Sequence, residues 1–267
     1  MNKAFIGTSG WSYDEWIGKL YPTRATPKLR YYSSIFSTAE IDSTFYAYPK
    51  PETILGWART APAGFKFSLK LPQIITHTKT LQNAEKDTTK FLDLIRPILD
   101  ANKIGIILIQ LPPSFTNKYY TTLENFFKIL SPDFKYAVEF RHKSWEDTKT
   151  WELLAGYNIS SVITESPLEL KVRATSDVIF IRYHGRGKKV WYDYRYSEEE
   201  MKGIAQDFKK ITRKSRLVFA YFNNHYGANA VENALQLIEL TTVPTPKQQE
   251  QLAKFRTKTA DLDSFLQ

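Results

Sequence analysis

The sequence predicts a single (β/α)8 TIM barrel, and three observations carry that expectation. Its 267 residues fall in the range where such barrels remain one domain. Eight short strand-like runs recur along it, and most of the segments between them repeat apolar residues with a helical period. No low-complexity segment or linker interrupts the alternation, and eight βα units close into a barrel.

The runs begin with Ala4 to Gly7, Thr38 to Thr44, Phe65 to Leu71 and Gly105 to Leu111. Tyr136 to Arg141, Ile159 to Thr164, Val178 to His184 and Leu217 to Asn223 complete the set. Phe91, Leu94, Ile95, Ile98 and Leu99 trace one helical face, and Val231, Ala234, Leu235 and Ile238 another. Pro27, Pro51 and Ser197 precede helices, and Ser197 with Glu200 three residues on matches a capping box. Pro97 is expected to kink or shorten the third helix. Ser166 to Asp177 is too irregular for a helix, so the sixth crossover is expected to be a loop. The barrel is read as residues 1–243, with the polar stretch 244–267 as an extra helix packed on it.

Composition narrows the class. A hydrophobic fraction of 42% supports a packed core, and no apolar run approaches the roughly 20 residues of a membrane span. The N-terminus does not read as a signal peptide, and there is no cysteine. Disulfide partners, thiolate nucleophiles and cysteine metal sites are excluded, and the cytoplasm is the expected location. The net charge of +9 is uneven: Ser166 to Arg216 holds thirteen Lys/Arg against seven Asp/Glu, a candidate anion-facing surface.

Strands of a parallel barrel are normally apolar on both faces, with polar residues at their ends. Several runs here break that rule. Glu40, Asp42 and Thr44 alternate in the second; Lys66, Ser68 and Lys70 in the third; Glu139 and Arg141 in the fifth; Arg182 and His184 in the seventh. A charged lumen follows. Isolated charges there would cost several kcal/mol, so pairing is expected between neighbouring strands, as Glu40 or Asp42 with Lys66 or Lys70. A salt-bridged network that only fixes strand register is the bland alternative.

Asp42, Lys70, Gln110, Glu139, Arg141, Glu165, Arg182, His184 and Asn223 all fall near C-terminal strand ends, where barrel enzymes keep their sites. They offer carboxylates and cations for acid–base work and for holding an anion. Two loops add to this. His184-Gly185-Arg186-Gly187-Lys188-Lys189 follows strand seven, and Asn223-Asn224-His225-Tyr226-Gly227 leads strand eight into a helix N-terminus. Together they match the usual phosphate position of this fold. Trp11 and Tyr46 lie among the loop aromatics able to stack on a base or sugar. The four histidines, His77, His142, His184 and His225, show no ligand spacing, and no metal site is assigned. The cofactor is left unknown.

The motifs resemble those of the YecE-like proteins, a domain of unknown function (number 72). They are Gly7-Thr8-Ser9-Gly10-Trp11-Ser12-Tyr13, Glu40-Ile41-Asp42-Ser43-Thr44-Phe45-Tyr46, Thr76-His77 and Gln110-Leu111-Pro112-Pro113. Val138-Glu139-Phe140-Arg141, Arg182-Tyr183-His184-Gly185 and Tyr221-Phe222-Asn223-Asn224 complete them. The resemblance implies a barrel and supplies no reaction. One departure is Glu165, where the family pattern usually has Asp.

The expectation for function is a barrel that binds a phosphate-bearing small molecule or nucleic acid at its strand ends, with hydrolysis as the candidate reaction. Lys70, Arg141 and Arg182 would hold the anion, Glu139 would be the general base, His184 the general acid, and Asp42 a third catalytic candidate. Two alternatives stay open. One is a non-catalytic nucleic-acid-binding barrel; the other is a glycosidase-like barrel, supported if Glu139 and Glu165 face one cleft and opposed if each pairs with Arg or Lys.

Overall fold

Each strand sends alternate side chains into the lumen and toward the helices, and this alternation builds both the core and the site. The computed structural model describes residues 3–165, 173–213 and 215–265. Strands β1 (Lys3–Ser9), β2 (Thr38–Ile41), β3 (Lys66–Lys70), β4 (Ile104–Gln110), β5 (Tyr136–Glu139), β6 (Ser160–Glu165), β7 (Val178–Tyr183) and β8 (Leu217–Phe222) close in that order into a parallel barrel. All eight expected strands are present.

The helices around it are α1 (Lys28–Tyr32), α2 (Ser43–Tyr46), α3 (Pro51–Thr60), α4 (Glu85–Asp100), α5 (Tyr120–Lys128), α6 (Thr148–Gly156), α7 (Glu198–Thr212), α8 (Asn229–Thr241) and α9 (Pro246–Phe265). Pro51 opens α3, and Ser197 with Glu200 forms the capping box of α7. Pro97 does not break α4. It lies in the last turn, where its missing N–H removes only one late hydrogen bond. α9 buries Leu252 and Phe255, and its Gln251 and Gln248 amides donate to the carbonyls of Lys19 and Ile35. The expected sixth-crossover loop lies largely outside the described residues. Its end, from Arg173, is irregular, and the Thr175 hydroxyl ties it to Ile159 and Ser161 beneath β6. No helix among the described residues is long and apolar enough to cross a membrane.

The lumen divides into two levels. Its lower half is an apolar plug of Phe5, Ile106, Leu108, Ala137, Val162, Val178, Phe180, Phe219 and Tyr221. Tyr221 shares its hydroxyl with Thr38, at 2.7 Å, and with Ser68, at 2.8 Å. The opposite strand faces, for example Ala39, Ile41, Phe67, Leu69, Ile107 and Ile109, join the helices in the main core. The buried lumen charges, Glu40, Lys70, Glu139 and Arg182, therefore occupy only the upper half.

Two strands end two or more residues earlier than the sequence suggests. The second stops at Ile41 because Thr44 turns back, its hydroxyl donating to the carbonyls of Ile41 and Lys70. Asp42 consequently sits in helical backbone at the start of α2. The fifth ends at Glu139, which leaves Arg141 on the following loop.

Gly7 shows how tightly β1 and β2 meet: a Cβ there would lie 2.3 Å from the Thr38 carbonyl oxygen and 3.0 Å from the Tyr32 hydroxyl. The first atom is backbone and cannot swing aside. Gly7→Ala is expected to destabilise the fold by about 2–3 kcal/mol, read by thermal or urea unfolding.

Candidate functional site

Above the plug, Arg182 on β7 organises the mouth. It is 1% exposed. Its Nε lies 3.1 Å from Glu40 Oε1, its Nη1 2.8 Å from Glu139 Oε2 and its Nη2 3.4 Å from Asp42 Oδ1. The Ser9 hydroxyl donates to Glu40 as well. The expected pairing of Glu40 or Asp42 with Lys66 or Lys70 is therefore corrected. Register sets Glu40 beside Ser68 and puts Lys66 low in the barrel, beside Thr38, where its ammonium donates to the Asn102 carbonyl at 2.7 Å. A guanidinium with five donors reaches across the lumen to three carboxylates, which a lysine cannot do.

These partners split the two buried acids. Burial pushes the Glu40 carboxyl up to about 7, against the pull of Arg182. Glu139 goes the other way: burial alone would raise it, but Arg141 and then Arg182 hold it well below the usual carboxylate range. Because the folded-state value of Glu40 lies above its ordinary 4.5, its contribution to stability is full below that value and is lost as pH rises toward 7. The histidines held low contribute the opposite slope up to about 6.5, so the informative quantity is a difference between proteins. Between pH 5 and 8, Glu40→Gln is expected to gain about 3 kcal/mol relative to the parent, read by urea unfolding. A flat difference would place Glu40 in its ionised form throughout.

Arg141 lies beside Glu139, its Nη2 paired with Oε1 and 3.4 Å from His184 Nε2. Among the described residues its Nε is buried without a hydrogen-bond partner. The other ring nitrogen of His184, Nδ1, is 3.1 Å from the Asn223 amide nitrogen. A neutral imidazole can accept from one of these donors; an imidazolium can accept from neither. Burial first, and then Arg182, hold His184 well below its ordinary value. It is thus a neutral acceptor at pH 7, the reverse of the acid role expected for it. Glu139, pinned by two guanidiniums, is correspondingly a poor base.

Lys70 closes the other side. It is 9% exposed, its ammonium stands 3.9 Å above the Phe45 ring, and among the described residues no carboxylate approaches it within 4.0 Å. Burial holds its ammonium below the ordinary lysine value, with Asp42 opposing and Arg182 reinforcing the shift. His77, on the turn Ile74–Thr78, packs edge-on to the same ring at 4.9 Å. Burial, then Lys70 and Arg141, lower it too.

Beside the charges opens a cavity of about 380 Å³ walled by Trp11, Tyr13, Tyr46 and Trp57, with Asp42 on its border. Trp11 is a wall rather than a free stacking platform, since it packs edge-on against Trp57 at 5.8 Å and also against Phe67. Tyr46 is 72% exposed at the rim. Trp57 and Phe45 were not among the sequence candidates; a single tryptophan on α3 or a phenylalanine in a short turn carries no local signal of a site.

The remaining candidates separate. Gln110 ends β4 in register with Glu139 and on the lumen side. Glu165 points the other way, outward, to the Tyr196 hydroxyl and Arg186. Glu139 and Glu165 face opposite sides and each pairs with arginine, so the two-carboxylate pattern of a glycosidase is not formed. Asn224 also leaves the site: its amide donates at 2.8 Å to the Tyr194 carbonyl and at 2.8 Å to Asn233 on α8. The expected phosphate position at the α8 entrance is occupied by protein acceptors. The Gly227 N–H faces a Glu15 carboxylate oxygen at 3.4 Å, and the Ala230 N–H donates to the Asn224 carbonyl at 2.9 Å. After β7, the Gly185 N–H is taken by the Tyr196 hydroxyl at 2.8 Å. Among the described residues no cluster of metal-ligating side chains forms.

Residues 5–256 match the sequence pattern of a family described as protein of unknown function DUF72. The chain belongs to the DUF72 family. It is 29% identical to the UPF0759 protein YunF of Bacillus subtilis over 90% of this chain and 95% of that one. With the UPF0759 protein YecE of Escherichia coli K12 it shares 33% identity, over 52% of this chain and 48% of the other. A solved DUF72 protein, TM1631 from Thermotoga maritima, superposes with a TM-score of 0.78 at 31% identity, covering 90% of this chain and 99% of that one. DUF72 protein EF0366 from Enterococcus faecalis, at 23% identity and a TM-score of 0.76, shares the fold. In this DUF72 chain, motifs far apart in sequence meet in one place. Ser9, Glu40, Asp42, Glu139, Arg141, Arg182, His184 and Asn223 come from five of the quoted motifs and form one connected cluster.

Proposed function

We propose that the protein binds a phosphate-bearing small molecule at the barrel mouth, with its anion on Arg141 and Lys70 and its remaining part in the aromatic cavity beside Asp42. One observation carries this reading: among the described residues the buried Arg141 Nε keeps a donor without an acceptor, and in the same mouth the Lys70 ammonium stands over the Phe45 ring with no carboxylate within 4.0 Å. Buried donors are normally satisfied, and an anion in the mouth would give the Arg141 Nε an acceptor and the Lys70 ammonium a counter-charge. Arg182 is committed to Glu40, Glu139 and Asp42 and supports the cluster instead of touching the ligand.

Charge favours the same ligand. Three acids and three cations balance only if Glu40 is ionised, and burial keeps it partly protonated near pH 7. The mouth is then net positive. Asp42, whose side chain is 26% exposed, is the carboxylate of the set that meets the cavity, and it is the residue placed to act as a base on a bound ester. Titration calorimetry with sulfate and with adenosine monophosphate tests the proposal. Sulfate keeps its charge from pH 6 to 8, so its affinity is expected to rise as pH falls and Glu40 protonates. The nucleotide should bind more tightly and quench tryptophan fluorescence. No binding of either at millimolar concentration rejects the reading. Tight, strongly salt-dependent binding of single-stranded DNA together with weak nucleotide binding would transfer the site to nucleic acid.

A further inference from the structure

We infer that Lys70 is a nucleophile that captures a carbonyl substrate as an imine, and that this substrate is a small phosphorylated aldehyde or ketone. The phosphate half of the inference rests on the anion reading above; the imine half rests on Lys70 alone.

A lysine buried in a barrel lumen is ordinarily paired with a carboxylate, because an unpaired ammonium there is costly. Lys70 is 9% exposed, yet three acids stand in the same mouth and none comes within 4.0 Å of it. They are drawn instead to Arg182, and Glu139 to Arg141 as well. Its nitrogen is left over the π face of Phe45, a weaker partner than a carboxylate, at the C-terminal end of β3, where substrates of this fold arrive. Burial, opposed by Asp42 and reinforced by Arg182, holds the ammonium below the ordinary lysine value, so a larger fraction of Lys70 than of an exposed lysine is neutral amine while the resting group still counts as a cation. Neutral amine is the form that attacks carbonyls.

The chemistry closes without an added reagent. The Nζ lone pair forms a bond to the carbonyl carbon, the π pair moves to oxygen, and the oxygen takes a proton. In all, the nitrogen gives up its two protons, the oxygen receives both and leaves as water, and the nitrogen lone pair forms the C=N bond, so an amine and a carbonyl become an imine and one water. Two groups stand ready to carry the protons. Asp42 acts on Lys70 electrostatically and borders the cavity, and His77 shares the Phe45 ring with the amine and is itself held toward its neutral form. Arg141 remains free to hold the phosphate through its unpartnered Nε.

Reductive trapping tests this on the intact protein. Glycolaldehyde phosphate and glycolaldehyde are each incubated with it in the presence of cyanoborohydride, and modified lysines are located by peptide mass spectrometry. Each unit by which an amine lies below an exposed lysine multiplies its reactive fraction about tenfold. Label on Lys70 is therefore expected to exceed that on the exposed Lys188 and Lys189, to form faster with the phosphorylated aldehyde, and to be slowed by sulfate. Lys70→Arg should remove this fast phase while leaving the slow surface labelling intact. Label no greater on Lys70 than on Lys188 overturns the imine, and sulfate binding measured alongside shows whether the anion site stands without it. Rapid labelling of Lys70 that is equal for the two aldehydes and indifferent to sulfate keeps the nucleophile and overturns the phosphorylated substrate.

Discussion

Arg182→Met is expected to lower the unfolding free energy by about 3–5 kcal/mol at pH 8 and by clearly less at pH 5. The guanidinium serves three carboxylates at once, and two of them, Glu40 and Glu139, are as buried as the arginine itself. Methionine fills the volume without the charge, so the cost measures abandoned carboxylates rather than a cavity. Without the guanidinium, the folded-state carboxyl of Glu40 rises further above its unfolded value, while Glu139 moves up but keeps Arg141 as its partner. A carboxyl raised in the folded state contributes its stability below its unfolded value and loses it as pH increases. The variant should therefore be most impaired under alkaline conditions, and a second substitution, Glu40→Gln, should restore part of the loss. Urea unfolding of the parent, the single and the double variant at the two pH values decides this. A loss below about 1 kcal/mol at both would mean that the carboxylates find other partners or water.

Arg141→Met is expected to weaken sulfate binding about ten- to a hundredfold, the equivalent of about 1.5–3 kcal/mol for a charge-assisted hydrogen bond. The residue differs from Arg182 in one respect that matters for function. Arg182 has Nε, Nη1 and Nη2 each turned to a protein carboxylate, whereas among the described residues Arg141 keeps a buried Nε–H with no acceptor. Arg141→Lys keeps the charge and loses the fork, so it should fall between parent and methionine variant. Removing Arg141 also strips Glu139 of the partner that lowers it most, so its carboxyl should move back up. Calorimetric titration of the three proteins with sulfate at fixed ionic strength reads the first effect. Unchanged affinity in the methionine variant would place the anion elsewhere.

Much of this was legible in the residues. Strand count, the α7 capping box and the tail helix follow from periodicity and local chemistry, which act over a few positions. The charged upper lumen was visible as Glu40, Lys70, Glu139 and Arg182 at alternate positions in runs that should be apolar. Their partners were not. Neighbouring strands suggested Glu40 with Lys66 or Lys70, but parallel register sets Glu40 beside Ser68, and Arg182 reaches it from three strands away around the barrel. Glu165 and Asn224 read as site residues because they lie near strand ends, yet a step of one residue in a strand reverses the direction of a side chain. Both face outward.

By itself the sequence determined the barrel, the set of ionisable groups available to its mouth and the family, because these depend on the order and spacing of residues along the chain. Which acids pair with which cations in the mouth, that His184 and His77 are held toward their neutral forms and that the buried Lys70 stands without a carboxylate were decided only by the tertiary structure. Ionic state depends on burial and on distances across the lumen, and closing eight strands into a ring creates those distances between residues up to 142 positions apart.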